Sequence, residues 1–241
     1  MEEKNYSIDS IWDSSIKIQQ SRKGYRFAID SILLAHFLRL NVDEEALEIG
    51  CGNGIILILL SRLQKYKRLV GVEIQNELAA LSRRNIRNND STNIEIVEAD
   101  ARHLENLLPK KAFHLLYSNP PYRRVGTGKL NPSNEKAIAR HELRLTLNDL
   151  IHLGEEFLTD KGRLSVILPT FREEDWMNLL GSAEYFVQAR RYIHSFPNTQ
   201  PAFVLITAAK HKSAIDEMPA LTIYEEPGKY TAEMAALLRR E

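Results

Sequence analysis

Three acidic residues and one glycine loop carry the first chemical signal in the chain. The segment Leu47-Glu48-Ile49-Gly50-Cys51-Gly52-Asn53-Gly54-Ile55 spaces its glycines as G-x-G-x-G. The dinucleotide fingerprint is G-x-G-x-x-G, so this loop is a different motif. It meets a similar need, a tight turn that brings backbone close to a ligand at a helix N-terminus. Its leading acid, Glu48, suits a cationic amine rather than a pyrophosphate. Glu73 follows Gly50 by 23 residues, in Val70-Gly71-Val72-Glu73. An acid at that point can accept both hydroxyls of a ribose. Asp100, closing Val97-Glu98-Ala99-Asp100, is placed to accept the exocyclic amine of an adenine. A lone glycine turn is usually just a turn, and a lone acid at a strand end is usually a solvated cap. All three in order describe a pocket for a nucleoside with a cationic amino-acid tail and no phosphates. S-adenosylmethionine has that shape. Cys51 reads as a small buried residue without a chemical role.

A second motif, Asn119-Pro120-Pro121-Tyr122, follows the apolar run Phe113–Tyr117. The prolines fix φ and carry no N–H, so no backbone donor competes there. Asn119 is held extended by the proline after it. Its side-chain oxygen and a neighbouring carbonyl, that of Pro120, can converge on one amino group and receive its two hydrogens. This suits methyl transfer to a planar amine. Such a nitrogen must pyramidalise to attack a sulfonium methyl, and it gains positive charge as it does. Acceptors aimed at its hydrogens stabilise that charge. Tyr122 offers a ring on which a base can stack, worth about 1–3 kcal/mol per base.

These residues need a scaffold that presents strand ends side by side, and the pattern of the chain supplies one. Ala46–Ile49, Leu69–Val72, Ile94–Val97, Phe113–Tyr117, Leu164–Leu168 and Phe203–Thr207 read as strands, with Phe186–Ile193 a further candidate. Asp30–Leu40, Ile55–Gln64, Asn76–Asn88, Leu147–Leu158 and Glu173–Leu180 read as helices. Alternation of this kind predicts an α/β fold with a doubly wound, mostly parallel sheet. In such sheets ligands sit at the carboxyl ends of the strands. Residues 1–29 form an N-terminal extension in which Ile16-Lys17-Ile18-Gln19 reads as a short edge strand. Residues 211–241 form a C-terminal extension with a candidate strand at Leu221–Tyr224, a Pro-Gly turn and a short Ala/Leu helix.

Composition narrows the setting. The chain has 241 residues, 44% hydrophobic and 27% charged, which predicts one large globular domain and excludes wholesale disorder. A single cysteine excludes an internal disulfide and fits a reducing cytosol. The polar N-terminus is no signal peptide, and the longest apolar run, Ile55–Leu60, is too short to span a membrane. The expected location is cytoplasmic, with no membrane partner. No histidine pair has metal-ligand spacing, so no metal is expected. Lys plus Arg number 32 and Asp plus Glu 32, so net charge announces no nucleic-acid binder. Between Pro121 and Leu145, however, Arg123, Arg124, Lys129, Lys136, Arg140 and Arg144 face only Glu135 and Glu142. Beside the Asn-Pro-Pro-Tyr motif, that run becomes a candidate RNA contact.

The four motifs together resemble the class I S-adenosylmethionine-dependent methyltransferases, and Asn119-Pro120-Pro121-Tyr122 resembles their amino-methylating branch. The block Lys23-Gly24-Tyr25-Arg26-Phe27-Ala28-Ile29-Asp30-Ser31-Ile32-Leu33-Leu34-Ala35 is similar to the family of bacterial valine-tRNA adenine-N6-methyltransferases. So are Asn131-Pro132 and Ala137-Ile138-Ala139-Arg140-His141-Glu142. The likeness runs from about Ile18 to Lys210. It implies a seven-stranded Rossmann-like sheet with an antiparallel last strand, and methylation of the adenine at tRNA position 37. It places Glu48, Gly50, Gly52 and Asn53 at the methionine end of the cofactor, and Glu73 and Asp100 at ribose and adenine. Asn119 also lies against the cofactor in this reading, and Arg26 and Asp30 close over it, Arg26 reading equally as an ordinary surface ion-pair partner. Arg123, Arg124, Lys129, Arg140 and Arg144 are the implied RNA contacts. Arg123 departs from the family pattern by standing where a second aromatic often follows the motif tyrosine. His141 stays open between a proton acceptor, a structural donor and an RNA contact. The alternatives are methylation of ribosomal RNA or of a release-factor glutamine, and a non-catalytic RNA-binding protein on the same fold.

Overall fold

The structure, a computed structural model, describes residues 6–12, 14–22, 28–120 and 145–239. It opens with an antiparallel hairpin, β1 (Tyr6–Ile11) and β2 (Ile16–Ser21), in register from Tyr6 opposite Ser21 to Ile11 opposite Ile16. Then come α1 (Ile29–Phe37), β3 (Glu45–Ile49), α2 (Ile55–Leu63), β4 (Arg68–Glu73), α3 (Asn76–Asn88), β5 (Ile94–Glu98) and β6 (Phe113–Ser118). After residue 144 follow α4 (Leu147–Phe157), β7 (Leu158–Pro169), α5 (Glu173–Ser182), β8 (Phe186–His194) and β9 (Pro201–Ala209). The chain continues through β10 (Asp216–Glu217), β11 (Leu221–Thr222), β12 (Tyr224–Glu226), β13 (Lys229–Tyr230) and α6 (Ala232–Leu238).

The main sheet runs β10-β8-β9-β7-β6-β3-β4-β5, with β11 also on β8. Strands β5, β4, β3, β6 and β7 are parallel, and β9 lies antiparallel between β7 and β8. This is the expected seven-stranded Rossmann-like sheet with its last strand reversed, widened at the β8 edge by two strands of two residues each. The candidate strand Leu221–Tyr224 is divided, because Tyr224 leaves β8 to pair with Tyr230. Ile16–Gln19 is the expected short edge strand, in the separate two-stranded β1-β2 sheet. It belongs to β2, whose outer edge meets the side chains of α3. Helix α1 ends at Phe37, three residues short of expectation, where Leu38 turns to φ −59° and ψ 148°. The polar stretch Thr159–Gly162 is absorbed into β7 as a bulge, since Phe113 pairs with Leu158 but Leu115 with Arg163.

Alternating residues feed two cores, one on each face of the sheet. On one face Ala46, Leu69, Leu115 and Ile167 pack under α1, α2 and the hairpin. Helix α2 is fully buried from Ile55 to Leu60, as a helix apolar on all sides must be. On the other face Leu47, Val70, Leu116 and Val166 pack with Leu150, Phe157 and Trp176 of α4 and α5. A capping box between Thr146 and Asp149 sets the start of α4. The first and last elements meet on the α1 side. Trp12 Nε1 donates to the Leu237 carbonyl at 3.0 Å, and His36 Nε2 lies 3.2 Å from the same oxygen. The Trp12 and His36 rings pack edge to face at 6.0 Å between centroids.

Candidate active site

The loop between β3 and α2 is shaped by left-handed backbone. Gly50, Gly52 and Gly54 have φ of +75°, +56° and +82°, a region closed to most side chains. Gly50 and Cys51 both donate their N–H to Val72 O, at 2.9 and 3.0 Å, which pins the turn against the end of β4. A Cβ on Gly54 would come within 2.4 Å of Ser82 Oγ, so α3 packs directly on the loop. A Cβ on Gly50 would meet nothing within 4 Å. That open space gives the Gly50 backbone room to act as a cradle for a ligand. Sequence reasoning passed over Gly71, whose missing side chain lets Leu57 and Cys51 approach β4. A Cβ there would lie 2.7 Å from Leu57 Cδ1 and 2.9 Å from Cys51 Sγ.

Glu73 closes β4 and turns back onto the loop. Its two carboxylate oxygens accept from Gly52 N and Gln75 N, each at 2.9 Å. Two of four acceptor sites are thereby used, which leaves capacity for two hydroxyls. Glu48 lies inside β3 at 1% exposure, and Tyr117 OH donates to its Oε2 at 3.2 Å. Burial drives its carboxyl well above the usual carboxylate range, and the charge of Glu73 acts in the same sense. No Lys or Arg among the described residues pairs with it. A buried acid short of a cation fits a ligand that brings an ammonium group. Together with the cradle at Gly50, this fits S-adenosylmethionine.

Other expected residues are held in ways the spacing did not reveal. Asn53 is fully buried, with Nδ2 donating to Gln20 Oε1 at 3.2 Å and Oδ1 facing Ile55 N at 3.3 Å. Its backbone carbonyl accepts from Asn85 Nδ2 at 3.0 Å. Asp100 follows β5, half-buried, and accepts from Arg102 N and Nε at 3.0 Å and from Nη2 at 2.6 Å. That guanidinium holds the Asp100 carboxyl below its ordinary range. Asp30 lies in the first turn of α1, where its Oδ1 accepts from Ser31 N at 2.8 Å. Arg26, Pro121, Tyr122, Arg123, Arg124, Lys129, Arg140, His141 and Arg144 lie outside the described residues.

Asn119 stands just past β6, half-buried, and Pro120 is buried. Ser118 Oγ donates to Ile49 O at 2.8 Å, tying the end of β6 to the start of the glycine loop. Asn119 Nδ2 donates to Ser31 Oγ at 3.3 Å. Glu73, Asp100 and Asn119 therefore follow three strand ends on one edge of the sheet, with the loop between them. Four partners escaped the sequence reading: Tyr117, Ser31, Gln20 and Asn85. Among the described residues no group of His, Cys, Asp and Glu has the makings of a metal site, and no helix is long and apolar enough to cross a membrane.

Comparisons with known proteins converge on methyl transfer. Residues 4–113 match the family model for protein-L-isoaspartate(D-aspartate) O-methyltransferase. The chain is 29% identical over 231 residues to a protein of Porphyromonas gingivalis named tRNA1(Val) (adenine(37)-N6)-methyltransferase, covering 91% of this chain and 89% of that one. A Trichodesmium erythraeum protein of the same name is 25% identical over 228 residues, with 92% of each chain covered. Among solved structures, a predicted O-methyltransferase from Agrobacterium tumefaciens superposes with a TM-score of 0.66 at 24% identity, covering 86% of this chain and 94% of the other. TYW2 of M. jannaschii in complex with AdoMet gives a TM-score of 0.56 at 14% identity, with 85% of each chain covered.

Proposed function

We propose that this chain, a class I S-adenosylmethionine-dependent methyltransferase resembling the tRNA1(Val) (adenine(37)-N6)-methyltransferases, methylates the N6 amine of an adenine in tRNA, at position 37 of a valine tRNA. One observation carries the reading. Asn119, at the head of Asn-Pro-Pro-Tyr, sits past β6 beside the Gly50–Gly54 loop, on the edge where Glu73 also ends its strand. Relatives matched over about nine-tenths of the chain support the tRNA substrate.

When bound, S-adenosylmethionine supplies an electrophilic methyl on a sulfonium. Gly50 gives it room, Glu48 receives its ammonium, and Glu73 receives its ribose hydroxyls. Asp100 receives the adenine amine while Arg102 keeps the carboxylate ionised. Asn119 Oδ1 and the Pro120 carbonyl accept the two hydrogens of the target amine, which favours the charge that grows on nitrogen as it attacks. The residues otherwise orient, bringing nitrogen and methyl into line. Tyr122 provides the stacking face for the extruded base, and Arg123, Arg124, Lys129, Arg140 and Arg144 contact phosphates. The setting in this reading is the cytoplasm.

The test is transfer of labelled methyl from S-adenosylmethionine to an unmodified valine-tRNA transcript, beside one with guanine in place of adenine 37. Label in the first and not the second is expected, and Asn119→Ala should abolish it while leaving cofactor affinity nearly intact. No label in either, with cofactor bound, would discard this tRNA. Normal turnover by Asn119→Ala would discard the mechanism.

A further inference from the structure

The N-terminal hairpin buries one face and turns the other to solvent. Ile16, Ile18 and Gln20 are buried, so by strand alternation Lys17, Gln19 and Ser21 face outward. Opposite them on β1 stand Ser10, Ile8 and Tyr6. Positive charge gathers on this face. Lys17 and Arg22 are exposed on the hairpin, and Arg87 is exposed on α3 beside it. Arg84, one turn before Arg87, lies over the Tyr6 ring at 5.8 Å, and its Nη1 donates to Gln19 Oε1 at 3.4 Å. Arg22 Nε donates to the Tyr6 carbonyl at 3.0 Å, so two guanidiniums meet at one residue.

These charges are not spent inside the molecule. Arg68, Arg83, Arg163, Arg190 and Arg191 each pair with a carboxylate. Lys17, Arg22, Arg84 and Arg87 pair with none among the described residues. The acids of the same elements are few. Asp9 accepts from the buried Gln20, and only Glu77, two turns before Arg84, and Asp90, just past α3, are exposed. Four cations against two exposed acids leave an excess of two, in a chain whose net charge is zero. Arg84 is held by a ring and one acceptor, with most of its five N–H donors unspent, a fork suited to a phosphate.

The place of this face in the fold says what reaches it. Gln20 and Asn85 both bond Asn53 in the glycine loop. The chain beyond Arg22 leads to α1, whose Ser31 meets Asn119. The open end of the hairpin therefore lies toward the strand ends that carry the candidate site, and its outer face runs away from them. From Lys17 to Arg22 the strand covers about 17 Å, enough to follow several phosphates of a helical strand. We propose that the outer face of the hairpin, with the Arg84–Arg87 flank of α3, is a second RNA surface, which takes the sugar-phosphate backbone of the substrate beyond the reacting base. The inference rests on the RNA substrate proposed above. It reads no sequence. It adds a contact on the opposite side of the glycine loop from the strand that leads into Asn-Pro-Pro-Tyr, so the RNA is held from two directions.

The experiment uses Lys17→Gln/Arg87→Gln, which removes two charges whose side chains bond to nothing described. Affinity for the valine-tRNA transcript and for a loop-free RNA duplex is measured across a salt series, with S-adenosylmethionine affinity by calorimetry alongside. The slope of log affinity against log salt should fall by about two on both RNAs, and adding Arg84→Gln should lower it by about one more. Cofactor affinity should stay within about twofold, and Lys17→Arg/Arg87→Lys, which keeps both charges, should keep the wild-type slope. Slopes equal to wild type in the double and triple variants would overturn the proposal. So would a loss of cofactor affinity in step with the loss of RNA affinity, which marks a damaged hairpin. Vesicles rich in phosphatidylglycerol test the other polyanion: if they retain wild type and release the double variant while the RNA slopes stay equal, the face belongs to a membrane surface and the proposal falls. If wild type binds RNA but transfers no methyl to valine tRNA, the reaction assignment fails, and the slopes still decide whether the hairpin takes phosphates. A wild type that binds neither RNA would overturn both readings.

Discussion

Glu48 sits at 1% exposure with Tyr117 OH as its donor and Glu73 nearby, and burial raises its pKa well above the ordinary range. The direction fixes a pH signature. Below the ordinary carboxylate range Glu48 is protonated in both folded and unfolded chains and contributes nothing. Above about pH 4.3 the unfolded chain gives up this proton while the folded chain keeps it, so stability falls as pH rises toward the folded value. Glu48→Gln removes that fall, and its thermal midpoint should decline less than wild type between mildly acid and neutral pH. Coincident profiles would show that Glu48 ionises freely in the fold. An ammonium group beside Glu48 favours the charged form. Cofactor uptake should therefore release a proton in wild type and not in Glu48→Gln, which calorimetry in buffers of different ionisation enthalpy reads directly. At this scale the sequence was partly legible. The positions of Glu73 and Asp100 at or just past strand ends, and of Glu48 one residue inside another, were legible because strand ends are local features. Tyr117 and Ser31 were missed because each meets its partner across 69 or 88 residues, a separation that only the folded sheet closes.

At the scale of elements, β2 is held by side chains where a strand would be expected. Asn89 Oδ1 accepts from Lys17 N at 3.0 Å and its Nδ2 donates to Lys17 O at 2.8 Å. Asn85 repeats the pattern on Gln19, at 2.9 and 3.0 Å. Asn85 near the end of α3 and Asn89, the residue that caps it, thus offer the donor and acceptor pairs of a neighbouring strand. Asn85 also donates to Asn53 O, while Gln20 accepts from Asn53 Nδ2 and donates to Asp9 Oδ2 at 2.6 Å. The hairpin, α3 and the glycine loop form one polar assembly. Asn85→Ala should destabilise the fold by about 1–3 kcal/mol, since half-buried groups on Gln19 and the buried carbonyl of Asn53 lose partners. It should also speed exchange of the Gln19 amide and weaken cofactor binding. Denaturation and hydrogen exchange measure the first two effects; protection of Gln19 equal to wild type would dismiss the assembly. Periodicity located α3 from Asn76 to Asn88 and most of the strands, because burial on two faces writes itself into residue type. It read Ile16–Gln19 as a short edge strand, which the two-stranded β1-β2 sheet bears out, but an apolar alternation says which face is buried and nothing about what lies alongside.

The whole molecule has no net charge, so attraction to a polyanion must come from local concentration. Arg123 and Arg124 belong to the six-to-two basic excess between Pro121 and Leu145. Replacing both with Ala should weaken tRNA binding and lower the slope of log affinity against log salt by about one to two, leaving S-adenosylmethionine affinity unchanged. An unchanged slope would remove these arginines from the interface. The meeting of Trp12 and His36 on the Leu237 carbonyl has a consequence of another kind. The hairpin that braces the glycine loop closes against α6, the last helix described, and these contacts span 225 and 201 residues. On the ribosome the chain emerges in order, so the sheet from β3 to β9 can assemble while the turn of the hairpin still lacks its partner on α6. The contacts of Trp12 and His36 with Leu237 form only once residues 232–238 have left the exit tunnel, which makes the closure of the hairpin onto α6 among the last steps of a newborn molecule.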